Sequence, residues 1–380
     1  MHEHEGFLDK LVLKNKLHQN DDLNELLRQA TKALDKHIYV LWHEHCSDGL
    51  AARYAAWRHF GDKAEYLPIN YNQAIPEMVL TNDTEIYIVD FCISYRDLVA
   101  LKSKVHCVQI IDHHKEANDT FMTELCLQFC FVFFSYFFKQ ANTWKDFSFS
   151  GTLVEFCIKR SSWLFKKLCR HMGIDVPIFD TTKSGALLAW EYFNPIFSVP
   201  DIIRFISDRD LWQFKYPETK AAIEGLKQSG RMEDFEYWDK LVIDRNALAD
   251  CIAKGQIIVD YNKANYQKFV GNQQSFKVIQ FDDTIAAVYN TTNNVNELAE
   301  EFYLNEHFHI DFTLSYYIRG DGRIKMSFRS RNPGGADVRI VAKKFFGGGH
   351  EHSAAAFLSA EQSLEFLKFL QDAEPLPLEP

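Results

Sequence analysis

The stretch QIIDHHKEAN, residues 109–118, follows the apolar residues Val108, Ile110 and Ile111 with an aspartate and two histidines, Asp112, His113 and His114. A chain leaving a buried strand rarely spends three positions on groups that are costly to desolvate unless each has a partner. One reading is a solvated turn, because Asp and His are common loop residues. The other is a metal or phosphate site at the carboxyl end of a parallel strand, where open α/β sheets bind their ligands. The choice depends on what the neighbouring strands end in.

Working outward, His37 to Trp42 (HIYVLW) reads as a strand, followed by a polar turn and a helix from near Gly49 with AARYAAWRHF. Glu85 to Val89 (EIYIV) reads as a second strand ending in Asp90, and Val105 to Ile111 as a third ending in Asp112. A helix follows over Ser184 to Phe193. Strands alternating with helices predict a parallel sheet with right-handed crossovers. Residues 197–265 turn helical, opening with PDIIRFISDRDLW, which carries Asp208 and Asp210. Beyond Phe276, FKVIQF and IAAVYN read as strands, NVNELAEEFY as a helix, and IDFTLSYYIRGDGRIKMSF as a hairpin across an Asp-Gly turn. The expected fold class is α/β: a parallel-sheet N-terminal domain joined by helices to a smaller α/β C-terminal domain.

The predicted division is a helical extension over 1–36, a strand–helix domain over 37–215, a helical connector over 216–272 and the smaller domain over 273–372. An atypical insertion is expected at about 121–175. It contains LCLQFCFVFFSYFF from Leu125 to Phe138, which is shorter than the roughly 17–25 residues that cross a bilayer. A buried helix, a partner-binding segment and translated sequence foreign to the fold are all open readings of it.

At 380 residues the chain is long enough for two domains, and 47% hydrophobic with 25% charged residues is ordinary globular composition. A formal charge of −10 argues against coating long duplex DNA through overall basicity. The eight cysteines form no close CxxC pair, and MHEHEGFLDK is polar and acidic, unlike a signal peptide. The expectation is a cytoplasmic protein with free thiols and no transmembrane span. A homodimer is left open.

Taken together, the strand ends carry His43, His45 and Asp48, then Asp90, then Asp112, His113 and His114, with Asp208 and Asp210 in the helical region. Any one of these is more often structural, but four clusters in chain order on the ligand-binding edge of a sheet favour a site. Hard oxygen donors mixed with imidazoles suit Mn²⁺ or Mg²⁺, with Fe, Co or Zn as competitors, better than the thiolate sets of structural zinc. Two ions need a carboxylate between them, and Asp90, alone on the middle strand, is the natural bridge.

These residues resemble the DHH phosphoesterase family, which includes RecJ-type nucleases, nanoRNases, cyclic-dinucleotide phosphodiesterases and manganese pyrophosphatases. The first motif, H-x-D-C-P-D-G in bacterial and phage-like members, corresponds to His43-Glu44-His45-Cys46-Ser47-Asp48-Gly49. The second is Val89-Asp90, the third Asp112-His113-His114, and the fourth Asp208-Arg209-Asp210-Leu211-Trp212. The C-terminal part resembles the DHH-associated domain through Arg329-Ser330 and Gly347-Gly348-Gly349-His350. The resemblance covers about 37–120 and 176–370. It implies His43, Asp48, Asp90, His113 and Asp208 as metal ligands, with His45 as a further candidate where relatives have an acidic residue. It implies His114 as the group beside the scissile phosphate and Asp112 as the carboxylate orienting the histidines.

Three glycines before a histidine suit close backbone approach and a nest of N–H groups for phosphate. From Arg323 to Lys344 seven basic residues face only Asp337, so Arg329 and Arg331 are candidates for gripping phosphates against the reading of a solvated strand face. The expected function is a phosphoesterase with two divalent ions, Mn²⁺ first and Mg²⁺ or Co²⁺ after it, hydrolysing phosphodiester bonds of short single-stranded oligonucleotides or small nucleotides in an exonuclease-like manner. The alternatives are a nucleic-acid-binding relative with impaired catalysis and a pyrophosphate or polyphosphate hydrolase.

Overall fold

The computed structural model describes residues 37–44, 46–71, 73–115, 117, 119–125, 169, 175–305, 308–331 and 334–377. The expected N-terminal extension and nearly all of the expected insertion lie outside them. The chain divides into two compact units, Met1–Gln256 and Ile257–Pro380.

The first unit is built on five strands: β1 (Ile38–His43), β2 (Ala64–Ile69), β3 (Glu85–Val89), β4 (Cys107–Asp112) and the short β5 (Ile178–Phe179). Their order is β2-β1-β3-β4-β5, and all pairings are parallel. Alternate residues of each strand enter opposite cores. Val40, Trp42, Val89 and Ile111 face one side, and Tyr39, Leu41, Ile86, Ile88, Val108 and Ile110 the other. Both faces are covered, which is why these strands read as near-continuous apolar runs rather than alternating ones.

On the first face lie α1 (Ser47–Phe60) and α3 (Gly185–Phe193), with Ala51, Ala52, Ala55 and Ala56 of α1 in the shared core. The second face is covered by α2 (Tyr95–Lys102) through Leu98 and Leu101. Phe121, Leu125 and Cys169 are buried in the same core, so the described ends of the stretch expected as an insertion pack into the domain and not outside it. Helices α4 (Asp201–Asp210), α5 (Thr219–Gln228), α6 (Phe235–Ile243) and α7 (Arg245–Val270) follow, as the helical reading of 197–265 requires.

The second unit holds β6 (Phe276–Phe281), β7 (Thr284–Asn290), α8 (Val295–Leu304), β8 (Phe312–Ile318), β9 (Ile324–Arg329), α9 (Val338–Lys344), β10 (Gly348–His350), β11 (Ser353–Phe357) and α10 (Ala360–Asp372). The sheet order is β10-β11-β9-β8-β7-β6, parallel at β7–β8 and antiparallel elsewhere. The expected hairpin is β8–β9. It turns at Asp321-Gly322, where Gly322 takes φ 78° and its N–H donates to Arg319 O at 3.0 Å. The fold class is therefore the expected one. Among the described residues no helix is long and apolar enough to cross a membrane.

Candidate metal centre

In a sheet of order 2-1-3-4-5 the chain leaves β1 toward one edge and then returns to its other side, so the β1/β3 carboxyl edge is the topological switch point where such sheets bind ligands. His43 closes β1, Asp90 follows β3, and Asp112 closes β4 ahead of His113 and His114. Strands about 4.8 Å apart bring these ends together. Asp90 leaves its strand with φ 54°, a conformation that Asp tolerates better than most residues, and its N–H donates to Ile111 O at 2.9 Å.

His113 is the hub. Its Nε2 lies 3.2 Å from Asp90 Oδ1, 3.5 Å from Asp210 Oδ2 and 3.6 Å from Asp48 Oδ2. On the far side of Asp90, Oδ2 is 3.5 Å from His43 Nδ1 and 3.2 Å from Cys46 Sγ. Among the described residues three sets of donors each fall within 4.8 Å: His43, Cys46 and Asp90; Asp90, His113 and His114; Asp48, His113 and Asp210. Asp90 and His113 each belong to two of these sets.

Asp48 is held by the start of α3, where Gly185 N–H donates to Oδ2 at 2.6 Å and Ala186 N–H to Oδ1 at 3.1 Å. The positive end of the helix suits a carboxylate. Gly185 is required here, because a Cβ would lie 2.4 Å from Asp90 Oδ1. Asp112 Oδ1 accepts from His113 N at 2.8 Å and meets His114 Nδ1 at 2.7 Å. This leaves His114 with Nε2 as its other hydrogen-bonding atom.

The electrostatics record the crowding. Burial, then Asp90 and Asp210, pushes the Asp48 carboxyl well above its usual range. Burial also raises Asp210, with Asp90 adding to it against the pull of His113. Burial would raise Asp90 too, but the imidazoles of His113 and His43 outweigh it and hold that carboxyl low. For His114 burial opposes the charge, and the Asp112 carboxylate overcomes it, raising the ring to about 9. Burial beside Asp90 pushes the Cys46 thiol up.

Asp90 Oδ1 and Asp112 Oδ2 are buried without a hydrogen-bond partner among the described residues. The 3.2 Å approach of His113 to Asp90 Oδ1 is a charge contact out of hydrogen-bond alignment. Buried carboxylate oxygens are rarely left so, and each such case calls for a bound ion, a water or a functional reason. Three converging carboxylates, two imidazoles and an orphaned oxygen fit a hard divalent cation.

The sequence-predicted residues are not all brought here. Asp208 is buried, but Oδ1 accepts from Lys215 N at 2.8 Å, while Oδ2 accepts from Tyr216 N at 3.2 Å and from the Thr219 hydroxyl. Its carboxylate is consumed in pinning the loop after α4. Asp210 reaches the cluster instead, since residues two apart on a helix point about 200° apart and do not share a face. The first motif gives Cys46 no role by resemblance, yet its thiol lies between His43 and Asp90. As N-cap of α1 its sulfur accepts from Gly49 N–H at 3.1 Å. The spacing Cys46–Gly49 just before an apolar helix was the available signal. His45 lies outside the described residues.

In the second unit, Arg329 turns inward. Its Nε donates to Asn296 Oδ1 at 2.5 Å and its Nη1 to the carbonyl of Phe328 at 2.8 Å. Ser330 Oγ is 2.9 Å from His352 Nδ1. Gly348, Gly349 and His350 form an edge strand paired with Ser353, Ala354 and Ala355, so they belong to the sheet and not to a separate glycine loop. Two of the glycines allow close packing, since a Cβ on Gly347 would meet Ala355 O at 2.2 Å and one on Gly349, at φ 143°, would meet Ala354 Cα at 2.6 Å, whereas Gly348 has open space around it.

Residues 282–374 match the family model of the DHHA1 domain, which bears out the resemblance read from the motifs. An uncharacterised protein of Acanthamoeba polyphaga mimivirus is 24% identical over 347 residues, covering 87% of this chain and 69% of that one. Among solved structures, an exopolyphosphatase-related protein from Bacteroides fragilis is similar at 13% identity and TM-score 0.43, covering 90% of this chain and 95% of that one. RecJ of Thermus thermophilus in complex with Mn²⁺ is similar at 13% identity and TM-score 0.39, with 93% and 55% covered. A pGpG-specific phosphodiesterase of Vibrio cholerae stands at 10% identity and TM-score 0.35, with 88% and 97% covered.

Proposed function

We propose that this chain, a DHH-family protein by its strand-end motifs and its DHHA1 domain, is a divalent-metal-dependent phosphoesterase acting on short single-stranded oligonucleotides or small nucleotides. The observation that carries the reading is the buried Asp90 carboxylate between the imidazoles of His113 and His43 at the switch point of the sheet, its Oδ1 left without a hydrogen bond among the described residues. His43, Asp48, Asp90, His113 and Asp210 would hold two ions, Mn²⁺ first, with Asp90 between them. Such ions supply a water acidified to near-neutral pKa and positive charge on the phosphate.

The chain's own groups do the rest. Asp90 is fixed by the strand end behind it and by the close approach of Gly185. Asp48 is fixed by two backbone N–H groups, so the ligand set is arranged before any ion arrives. Asp112 holds His114 through Nδ1, which directs the remaining ring N–H to donate to phosphate oxygens as charge develops on them.

A second reading, a hydrolase of pyrophosphate or polyphosphate, is favoured by the inward Arg329, whose Nε and Nη1 are already engaged within the unit. Purified protein assayed with Mn²⁺, and after chelation, against short oligonucleotides, cyclic dinucleotides and pyrophosphate tests both. Metal-dependent cleavage of the oligonucleotides is the expected result. Cleavage of pyrophosphate alone transfers support to the second reading, and no cleavage of any of them overturns both.

A further inference from the structure

The loop after α4 carries two aromatic residues in a backbone conformation that such residues seldom adopt: Trp212 at φ 54° and Phe214 at φ 49°. Strained positions persist only where the surroundings over-determine them, and they gather at ligand-binding places. Here the surroundings are identifiable. Buried Asp208 accepts from Lys215 N, Tyr216 N and the Thr219 hydroxyl, and Gln213 N–H donates to its carbonyl at 2.9 Å. The loop is therefore tied on both sides of Phe214.

What the loop presents is unlike a core. Trp212 is 42% exposed, although an indole is among the most favourable side chains to bury. The Arg209 guanidinium lies 4.1 Å from the centre of the Trp212 ring, and the rings of Trp212 and Phe214 meet edge-on at 5.0 Å. Lys220 sits 4.8 Å from the Phe214 ring. Trp212 is two residues beyond Asp210, whose carboxylate is 3.5 Å from His113, so its Cα is within about 7 Å of that of Asp210. An exposed indole beside cationic groups, two residues along the chain from a member of the candidate metal cluster, matches the chemistry of single-stranded nucleic acid. Bases stack on aromatic faces and on Arg, and the phosphates seek positive charge.

We propose that Trp212, with Arg209 above it and the loop held by Asp208, is the stacking platform for a nucleobase adjoining the phosphate at the metal cluster, so that the substrate is a nucleotide and not an inorganic phosphoanhydride. This rests on the reading of the cluster as a phosphoesterase site. Asp208 is a positioning residue for the platform. Mutual stacking of Arg209, Trp212 and Phe214 for the loop's own stability is the competing account.

The test uses the full chain and two ligands, a labelled single-stranded trinucleotide and its abasic counterpart with the same phosphates, bound in chelator so that no turnover occurs. For wild type the base-bearing ligand binds more tightly. Trp212→Leu weakens it by roughly 10-fold or more, the scale of one lost base–aromatic stack, and removes the preference over the abasic ligand. Trp212→Tyr, which keeps a ring, restores most of it. Mn²⁺ binding, measured by calorimetry, stays at the wild-type value in both variants. Equal weakening of both ligands by Trp212→Leu, or no weakening of either, overturns the platform. Turnover by wild type is measured beside these. If base-dependent binding is lost in Trp212→Leu but wild type cleaves nothing, the platform stands and the phosphoesterase reading fails. If wild type cleaves oligonucleotides and binding is indifferent to bases, the reverse holds.

Discussion

At the strand ends of the first unit, polar groups converge and are left under-satisfied: Asp90 Oδ1 and Asp112 Oδ2 are buried without hydrogen bonds among the described residues, and Asp48, Asp90 and Asp210 crowd one imidazole. At the C-terminal motif the polar groups are turned toward their own protein. Arg329 donates to Asn296 and to a backbone carbonyl, Ser330 meets His352, and the glycines pair as an edge strand. Both motifs read as candidate ligand-binding sequence, the strand-end clusters more strongly than the glycines. The difference teaches that a polar motif marks a site when its groups still need a partner, because leaving a buried donor or acceptor unpaired costs more than a made hydrogen bond returns.

The largest effect should come from the bridging position. Asp90→Asn keeps the volume and removes the charge, and it is expected to abolish metal-dependent turnover and stoichiometric Mn²⁺ binding with the fold intact by circular dichroism. Ordinary activity in this variant would remove the contrast between the two motifs.

Next come the two aspartates of α4, of which Asp210 faces His113 and Asp208 faces the Thr219 hydroxyl. Asp210→Asn should weaken Mn²⁺ binding by at least about 10-fold, since even groups that only support metal ligands cost 10–100-fold. Asp208→Asn should leave Mn²⁺ affinity unchanged and lower stability by about 1–3 kcal/mol, the cost of disturbing a buried hydrogen-bonded group. The opposite pattern in calorimetry and chemical denaturation would return the ligand role to Asp208.

Two substitutions probe the geometry without removing a metal ligand. His114→Ala should lower kcat by about 10² through lost charge stabilisation while Mn²⁺ binding persists. Gly185→Ala places a methyl 2.4 Å from Asp90 Oδ1, and an ångström of misplacement costs about 10² in rate. Steady-state kinetics on either variant at the wild-type value would mean the cluster tolerates more movement than its packing implies. The smallest effect on turnover is expected from Arg329→Ala, which should cost about 1–3 kcal/mol of stability through unpaired acceptors while changing kcat little. A large rise in KM for oligonucleotides without loss of stability would restore Arg329 to the substrate.

Much of this was legible in the sequence for a definite reason. Strands buried on both faces produce apolar runs whose ends are set by the first polar residue, so His43, Asp90 and Asp112 could be placed on one edge from Leu41, Ile88 and Ile110 alone. The helix read over Ser184 to Phe193 is found at Gly185–Phe193, whereas the helix read from near Gly49 begins at Ser47, capped by Cys46. The fate of the Leu125 to Phe138 run was less legible, because an apolar run shows that a segment seeks burial and not which surface receives it. Leu125 itself is buried beside Phe121 against the sheet.

The sequence by itself determined which residues could reach the carboxyl edge, because strand direction and period are local properties of the chain. Only the tertiary structure decided which of them face one another. Asp208 and Asp210 differ by two positions on one helix, and the packing of α4, with Ile202, Ile203 and Ile206 in the core, turns Asp210 toward His113 and Asp208 toward Thr219. Cys46 enters beside Asp90 because α1 and β3 meet there, and Arg329 turns inward because Asn296 lies across from it on α8. Such partners lie 33 to 44 residues away in the chain. Whether a polar group is satisfied is therefore a property of the folded neighbourhood and not of the motif that carries it.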